Sequence, residues 1–353
     1  MPAPWSEWRY ASFEDRLICR RLIRQGSRSF FAASLLLPRE LRDPAYAIYA
    51  FCRLADDQVD LAGGRADAIA GLRRRLGAVY QGRPLDHPSD RALADVVEHH
   101  RLPRALFDAL IEGLEWDDRG RQFETIEDLH AYAARVASTV GAIMSCLMDG
   151  RDPETLARAC DLGLAMQLTN IARDVGEDAR AGRLYLPRRW LVEAGIDPAA
   201  FLAAPAMSPA LAEVVARLLR EADVFYDRAA PGIAGLPAGC RPAINAARRL
   251  YAEIGSVVAA NDFDSLNQRA VVSRRRKAAL VVQALAGSPF LRRRAAQSAA
   301  PATVFLVDAA TRSARDDPDA RDPDAESRAE WVLGLFMKLK RRDRLRDMNA
   351  GTV

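Results

Sequence analysis

Apolar residues recur at intervals of three and four positions along most of the chain, which is the spacing of a helix face that packs into a core. Alanine, leucine and arginine dominate, and runs of β-branched residues are rare. The pattern therefore predicts an all-α protein. Asp43-Pro44 and Asp152-Pro153 have the form of an N-cap followed by proline, so we expect helices to begin at Pro44 and Pro153. Glycine, proline and polar residues predict interruptions at 62–67, 81–90, 180–187, 195–209 and 231–239.

The domain organisation follows from where this pattern stops. No internal repeat and no shift in composition is visible before about residue 290. The polar run RSARDDPDARDPDAES then predicts a flexible linker, and the chain ends in another helical pattern. We therefore expect four segments, namely an N-terminal lead at 1–14, a single helical-bundle domain at 15–300, a flexible linker at 301–327 and a basic amphipathic helix at 328–353.

Composition narrows the classes of function. The chain has 353 residues, 50% of them hydrophobic, so it can bury a sizeable core. A formal net charge of +4 is no signature of nucleic-acid binding, and no nucleic-acid partner is expected. The cysteines form no CxxC pair and the histidines have no metal-ligand spacing, so we expect reduced thiols. The N-terminus lacks the apolar core of a signal peptide, and the apolar stretch at 136–148 is too short to span a bilayer. A cytoplasmic location is expected.

The segment LADDQVD at 54–60 places three aspartates directly after an apolar run. At 100° per residue, four polar side chains fall within about 60° of one another beside an apolar stripe, and these are Tyr49, Arg53, Asp56 and Asp60. Asp57 is rotated away from that face. Two carboxylates one turn apart repel each other, and they lose hydration if they face inward. A cation between them would remove both costs.

The segment LGLAMQLTNIARDVGED at 162–178 repeats this arrangement. Four polar side chains fall within about 80° on one helix face, namely Gln167, Asn170, Asp174 and Asp178. One aspartate pair of this kind is usually a solvated face, but two pairs beside apolar stripes favour opposite walls of one bundle. Carboxylate oxygens are hard ligands that favour magnesium or manganese over zinc, so we expect the walls to hold divalent ions of this kind and, through them, a diphosphate.

Four separate motifs resemble the squalene/phytoene synthase family of head-to-head prenyl diphosphate synthases. They are GSRSFFAASLLLP at 26–38, ADDQVD at 55–60 after AIYAFCR, YAARVASTVGAIM at 132–144 and QLTNIARDVGEDARAGRLYLP at 167–187. Their order and spacing agree with the family over roughly residues 15–290, and the chain is most similar to its bacterial phytoene synthases. The resemblance implies an isoprenoid synthase fold, in which one helical bundle surrounds a central cavity.

The resemblance also implies a role for each matching residue. The metal would be Mg²⁺, with Mn²⁺ able to substitute, and it would bind Asp56, Asp60, Asn170, Asp174 and Asp178, with Glu177 as a helper. The substrate diphosphate would contact Ser27, Ser29, Arg53, Arg173 and Tyr251, and further family positions match Arg269 and Lys277. The catalytic group would be Asp56, Asp60, Asp174, Asp178, Tyr49 and Arg53. The prenyl channel would be lined by Phe30, Tyr132, Val136, Val140, Gly141 and Gln167.

The residues themselves leave simpler alternatives open at several of these positions. Ser27 and Ser29 fit an N-cap and a turn as well as they fit phosphate contacts. Phe30 fits a core as well as a channel. Regular helical spacing puts Tyr132, Val136, Val140 and Ile143 on one face, which either a core or a tunnel wall would require.

The reaction implied is a 1–1′ condensation of two allylic diphosphates through a cyclopropyl diphosphate. With C20 geranylgeranyl diphosphate, the intermediate is prephytoene diphosphate and the product is phytoene, as in carotenoid biosynthesis. The enzyme would be a prenyltransferase of the 15-cis-phytoene synthase type. We find no dinucleotide-binding loop, so no NADPH is expected. Condensation of C15 farnesyl diphosphate to presqualene diphosphate, squalene or dehydrosqualene is the alternative. Diphosphate, a tyrosine or a carboxylate could each take the final proton.

Other interpretations remain open for the whole chain and for its tail. A non-catalytic assembly protein would be expected to lose the aspartates, whereas terpene cyclases and chain elongators have different acid motifs. In the final segment, one helix face is apolar and a basic run follows, with Trp331, Val332, Leu335, Phe336 and Leu339 on that face. This pattern fits an interfacial helix on the inner membrane face and a docked terminal helix equally well. The sequence does not predict the oligomeric state.

Overall fold

The structure is a computed structural model that describes residues 8–62, 66–293 and 297–315, with side chains for 8–55, 68–293 and 297–312. Contacts divide the chain into two units, residues 1–311 and 312–353. Of the second unit, only the end of one helix is described. The basic helix predicted at 328–353 lies outside the described residues.

Every regular element in the described part of the chain is helical, so the all-α prediction is confirmed. In chain order, the α-helices are Phe13–Gly26 (α1), Arg28–Ser34 (α2), Arg39–Ala62 (α3), Ala66–Tyr80 (α4), Pro88–His99 (α5), Arg104–Asp118 (α6), Ile126–Ala133 (α7), Thr139–Leu147 (α8), Pro153–Arg180 (α9), Arg188–Glu193 (α10), Pro198–Ala203 (α11), Pro209–Ala229 (α12), Arg241–Ala260 (α13), Arg274–Gly287 (α14) and Val304–Arg315 (α15).

Helix α9 begins as the sequence predicts. Asp152 caps it by accepting a hydrogen bond from the backbone N–H of Thr155 at 3.0 Å, and Pro153 occupies the first turn. Leucine, alanine and glycine residues recur along its buried face. Because α9 packs against α8, α12 and α13, this 28-residue helix forms a wall shared by much of the bundle.

Helix α3 begins more than one turn before the predicted position. It runs from Arg39 and carries Pro44 in its interior. Arg42 fastens the added turn by donating from Nε to the carbonyl oxygen of Leu37 at 2.9 Å. Pro44 therefore costs the helix a backbone hydrogen bond near its start without ending it, and Asp43 is a helical residue rather than the predicted cap.

Three predicted boundaries also differ from the structure. Residues 301–315, predicted as the start of the linker, form a 3-10 turn followed by α15. Apolar residues spaced by three and four explain this helix, because they are buried, namely Leu306, Val307 and Ala310. Residues 9–11, in the predicted lead, donate backbone hydrogen bonds to the carboxylate of Asp95. Helix α11 lies inside the interruption predicted at 195–209.

His130 of α7 is a half-buried base whose ring packs within the bundle. Its ring packs edge-on against Phe225 of α12, with centroids 5.0 Å apart, and its Nε2 is buried without a hydrogen-bond partner among the described residues. Burial lowers the pKa of His130 from 6.5 to about 4, although Glu127 acts in the opposite direction. The ring is therefore neutral in the folded protein near neutral pH.

We expect His130→Leu to weaken the acid sensitivity of folding. The unfolded chain takes up a proton on this ring below about pH 6.5, whereas the folded chain does so only near pH 4. Stability should therefore fall as the pH drops through this window, by about 2 kcal/mol for this group between pH 7 and pH 5. Urea unfolding at both pH values measures the effect. An equal loss of stability in the variant and the unsubstituted protein would contradict it.

Candidate active site

A cavity of about 460 Å³ runs through the bundle, within the size range of small-molecule sites. One wall is a stripe on α9 that extends from Thr155 to Asn170, which spans about 22 Å at 1.5 Å per residue. A second stripe, from Tyr132 to Met148, forms another part of the lining. Most lining side chains are apolar. Polar residues in the lining include Tyr49, Arg53, Asp117, Gln167 and Asn170.

The second stripe includes a π-helical turn, Ala134–Ser138, between α7 and α8. A π-turn bonds over five residues rather than four, so it shifts the register of the residues that follow. Tyr132 and Val140 both line the cavity. Regular helical spacing places Ile143 on the same face, but the next residue in the lining is Met144. Ile143 is fully buried in the core instead. Ile143 is therefore a core residue, which is one of the two alternatives that its spacing left open, and it does not line the cavity.

Every residue predicted for the prenyl channel lines this cavity, namely Phe30, Tyr132, Val136, Val140, Gly141 and Gln167. Gly141 has a steric reason to lack a side chain, since an added Cβ would lie 2.3 Å from the carbonyl oxygen of Ala159 on α9. The two helices α8 and α9 thus approach each other closely at this crossing. That these residues contact a prenyl chain stays a prediction.

Beyond Asn170, α9 carries the acidic residues of its predicted metal-binding face. Arg173 donates to Asp174 through Nε at 2.7 Å and also through Nη2. Arg269 pairs with Asp174 at 3.2 Å and with Glu177 at 3.0 Å. The four side chains form a compact cluster of alternating charge at this end of α9.

Two observations show that this end of α9 suits a cation. The Oδ1 of Asn170 is buried and accepts no hydrogen bond from any residue that the structure describes. Burial, and next the charge of Asp174, raise the pKa of Asp178 to about 7. An added positive charge would remove both penalties, and the oxygen donors suit Mg²⁺ or Mn²⁺.

The opposite acid wall is only partly described. Helix α3 extends through positions 56 and 60, but the side chains of Asp56 and Asp60 lie outside the described residues. Among the described side chains, no group of three or more His, Cys, Asp or Glu residues forms a metal-binding cluster. The predicted four-aspartate cage therefore stays a prediction.

Ser27 is an N-cap, and it also contacts a predicted substrate residue. Its Oγ accepts a hydrogen bond from the backbone N–H of Phe30 at 3.2 Å and caps α2. The same hydroxyl is hydrogen-bonded to Tyr251, whose ring stacks on Phe30 with centroids 4.8 Å apart. Burial raises the pKa of Tyr251 to about 12, so it is a protonated donor near Arg173. Ser29 lies half-buried in the first turn of α2.

Asp117, at the end of α6, is a cavity residue that the sequence analysis missed. Its carboxylate accepts hydrogen bonds from the hydroxyls of Tyr132 at 2.6 Å and Tyr185 at 2.8 Å. These two rings stack 5.4 Å apart, and Phe123 packs on both. The only hint of Asp117 in the sequence is a pair of aspartates, in EWDD, at the end of an apolar helix pattern. Asp117 thus positions an aromatic group beside the channel.

We expect Asp117→Leu to slow turnover about 10-fold or more by leaving two tyrosine hydroxyls without their charged acceptor, at a cost of about 1–3 kcal/mol. Asp117→Asn keeps one carbonyl oxygen as an acceptor, so its loss should be smaller. Steady-state kinetics measure both, with kcat reduced more than KM is raised. Asp108→Leu, at an exposed position of the same helix, is the matched control. Equal kinetics for the Asp117 and Asp108 variants would contradict the positioning role.

The sequence also matches known proteins along most of its length. Residues 23–276 match the family described as squalene/phytoene synthase. A phytoene synthase of Rhodobacter capsulatus is 50% identical over 338 residues, which cover 94% of this chain and 97% of that protein. The chain belongs to the squalene/phytoene synthase family. A phytoene synthase of Cereibacter sphaeroides is 49% identical over 341 residues, covering 92% of this chain and 94% of that protein.

The fold of this family member agrees with that of a solved structure. A crystal structure of a dehydrosqualene synthase in complex with a ligand is 31% identical and superposes with a TM-score of 0.71. The match covers 77% of this chain and 96% of that one. The family resemblance and the isoprenoid synthase fold predicted from the sequence are confirmed.

Proposed function

We propose that this chain is a prenyltransferase of the phytoene synthase type, which joins two molecules of geranylgeranyl diphosphate head to head to give phytoene and releases diphosphate. The observation that carries this proposal is the 50% identity to a phytoene synthase over 94% of the chain. The cavity supports it, because a mostly apolar lining that includes polar residues such as Arg53 and Asn170 suits a diphosphate with a prenyl tail.

The chain's own residues supply binding, orientation and exclusion of water. Arg173 and Arg53 would hold diphosphate oxygens, and the protonated hydroxyl of Tyr251 would donate to the same group. The apolar stripes on α8 and α9 would align the two prenyl chains and keep water from the reactive carbons. Among the rings around Asp117, Tyr132 lines the cavity and would offer its aromatic ring to passing positive charge.

We propose Mg²⁺ as the cofactor, with Mn²⁺ able to substitute and no requirement for NADPH. Asp174, Asp178 and Asn170 would hold it on α9, facing Asp56 and Asp60 on α3. Bound magnesium would neutralise the diphosphate and make it a better leaving group. The buried, unpartnered Oδ1 of Asn170 supports this assignment.

Product analysis tests the proposed function directly. The purified protein is incubated with Mg²⁺ and either geranylgeranyl or farnesyl diphosphate, with and without NADPH, and the hydrocarbons are identified. We expect phytoene from the C20 substrate, unchanged by NADPH and abolished by a chelator. Squalene or dehydrosqualene from the C15 substrate alone would support farnesyl diphosphate as the substrate instead. No product from either substrate would refute the proposal that the chain is a prenyltransferase.

We further propose that the C-terminal segment 328–353 contacts a membrane surface. Its sequence places an apolar face before a basic run, which suits an interfacial helix. In the described residues, no helix has the length and hydropathy to cross a bilayer. Replacing Trp331 and Phe336 by serine in the full-length chain should weaken sedimentation with anionic vesicles, and unchanged sedimentation would sink this proposal.

A further inference from the structure

Helix α14 exposes an apolar face to solvent. At 100° per residue, five of its exposed apolar side chains fall within about 120° of one another, and these are Ala278, Ala279, Val282, Leu285 and Ala286. The chain then turns and exposes Phe290. We call these six residues the α14 surface. Val282, Leu285 and Phe290 are 64%, 45% and 80% exposed. A contiguous exposed apolar patch of this kind marks an interaction site more often than a scattered apolar residue does.

The chain segment that carries the α14 surface is strongly basic, although Arg276 pairs with Glu253 at 2.7 Å and Arg293 pairs with Asp152 at 3.5 Å. Residues 271–293 contain six arginine or lysine residues and no aspartate or glutamate, the basic residues being Arg274, Arg275, Arg276, Lys277, Arg292 and Arg293. Arg274 and Arg275 extend the apolar face at its N-terminal end, and both are exposed. Arg292 and Arg293 follow Phe290 at the other end and are also exposed. Apolar side chains between two basic ends match the boundary between the head groups and acyl chains of an anionic bilayer.

The other side of α14 faces the cavity wall. Ala284 is buried in a small cluster with Ala33, Ala246 and Ala247. Two of these partners, Ala33 and Ala247, line the cavity. One helix layer therefore separates the α14 surface from the channel lining.

We propose that the α14 surface docks on an anionic lipid bilayer. The charge pattern selects this occupant over two others, because a second copy of the surface would bring like charges together. The C-terminal segment 328–353 is the other possible occupant, and it is also basic, with seven arginine and lysine residues against three acidic ones. Its contact with the α14 surface would likewise bring like charges together. Docking through this surface would place the channel wall next to the membrane, with only α14 between them. That benefit rests on the proposed function, whose hydrocarbon product dissolves in lipid and not in water.

Vesicle sedimentation of the full-length chain without substrate tests this proposal separately from catalysis. The α14 variant carries Val282→Ser, Leu285→Ser and Phe290→Ser, all at exposed positions. The matched control carries Val192→Ser and Val224→Ser, which are 62% and 55% exposed on α10 and α12. We expect the α14 variant to partition about 10-fold more weakly onto vesicles of phosphatidylcholine and phosphatidylglycerol. The control should bind like the unsubstituted chain.

Two further comparisons identify the source of any binding. Replacing Arg274, Arg275 and Arg292 by glutamine should weaken binding to anionic vesicles and bring it close to the level on phosphatidylcholine alone. Combining the α14 variant with the serine substitutions at Trp331 and Phe336 should weaken binding beyond either set. Unchanged binding of the α14 variant would overturn the proposal. Light scattering that shows a dimer converted to monomer by the α14 variant, with vesicle binding intact, would assign the surface to a second copy and also overturn it.

Discussion

Replacing Asp174 with asparagine should abolish hydrocarbon formation from geranylgeranyl diphosphate while leaving the helical fold intact. Asp174 lies at the centre of the charge cluster on α9, paired with Arg173 and Arg269 and one turn from Asp178. Asparagine keeps the shape but removes the charge that balances two arginines and attracts a divalent cation. Metal-assisted stabilisation of a leaving diphosphate is worth several kcal/mol, which corresponds to about 10³-fold or more in kcat.

Two measurements separate loss of metal binding from loss of fold. Titration with Mn²⁺ followed by electron paramagnetic resonance should show weaker binding in Asp174→Asn, independently of activity. Circular dichroism should show unchanged helicity. Asp227→Asn, at an exposed position of the neighbouring α12, is the matched control and should retain both activity and Mn²⁺ affinity. Full turnover in the Asp174 variant would remove the argument that α9 forms a metal-binding wall.

Helical periodicity predicted the cavity face of α9 because nothing interrupts that helix between its cap and the acidic cluster. Asp152 and Pro153 fix its start, and an unbroken α-helix then sets the direction of every later residue. Gln167 and Asn170 accordingly both line the cavity. The resemblance to the family added the assignment of roles, which spacing alone does not provide.

The same reasoning failed where tertiary contacts override local pattern. The π-turn before α8 moves Met144 into the lining in place of Ile143, and no residue type in ARVAS marks such a turn. Asp117 became visible only when the fold brought it to Tyr132 and Tyr185, which lie 15 and 68 positions away. Helix α15, by contrast, has the apolar spacing of a helix in its sequence, but the polar run that follows it led to the prediction of a linker.

The crossing of α9 with the π-turn predicts a large effect from a single methyl group at Gly163. A Cβ added there would lie 2.5 Å from the Cα of Ser138 and 2.6 Å from its backbone nitrogen. Both atoms belong to the backbone, and Ser138 is tied to α9 because its hydroxyl donates to the carbonyl oxygen of Cys160 at 2.7 Å. The clash therefore cannot be relieved by a side-chain rotation, and the two segments must move apart.

Gly163→Ala should consequently destabilise the protein, although alanine is the better helix former. The gain in helix propensity is about 1 kcal/mol, whereas overpacking a tight core costs about 1–3 kcal/mol and more where backbone must move. Gly77→Ala is the matched control, because a Cβ added at this position in α4 meets no atom within 4 Å. The same substitution should therefore lower the urea midpoint at position 163 and raise it at position 77. If both variants were stabilised, the close approach of α9 to the π-turn would be wrong.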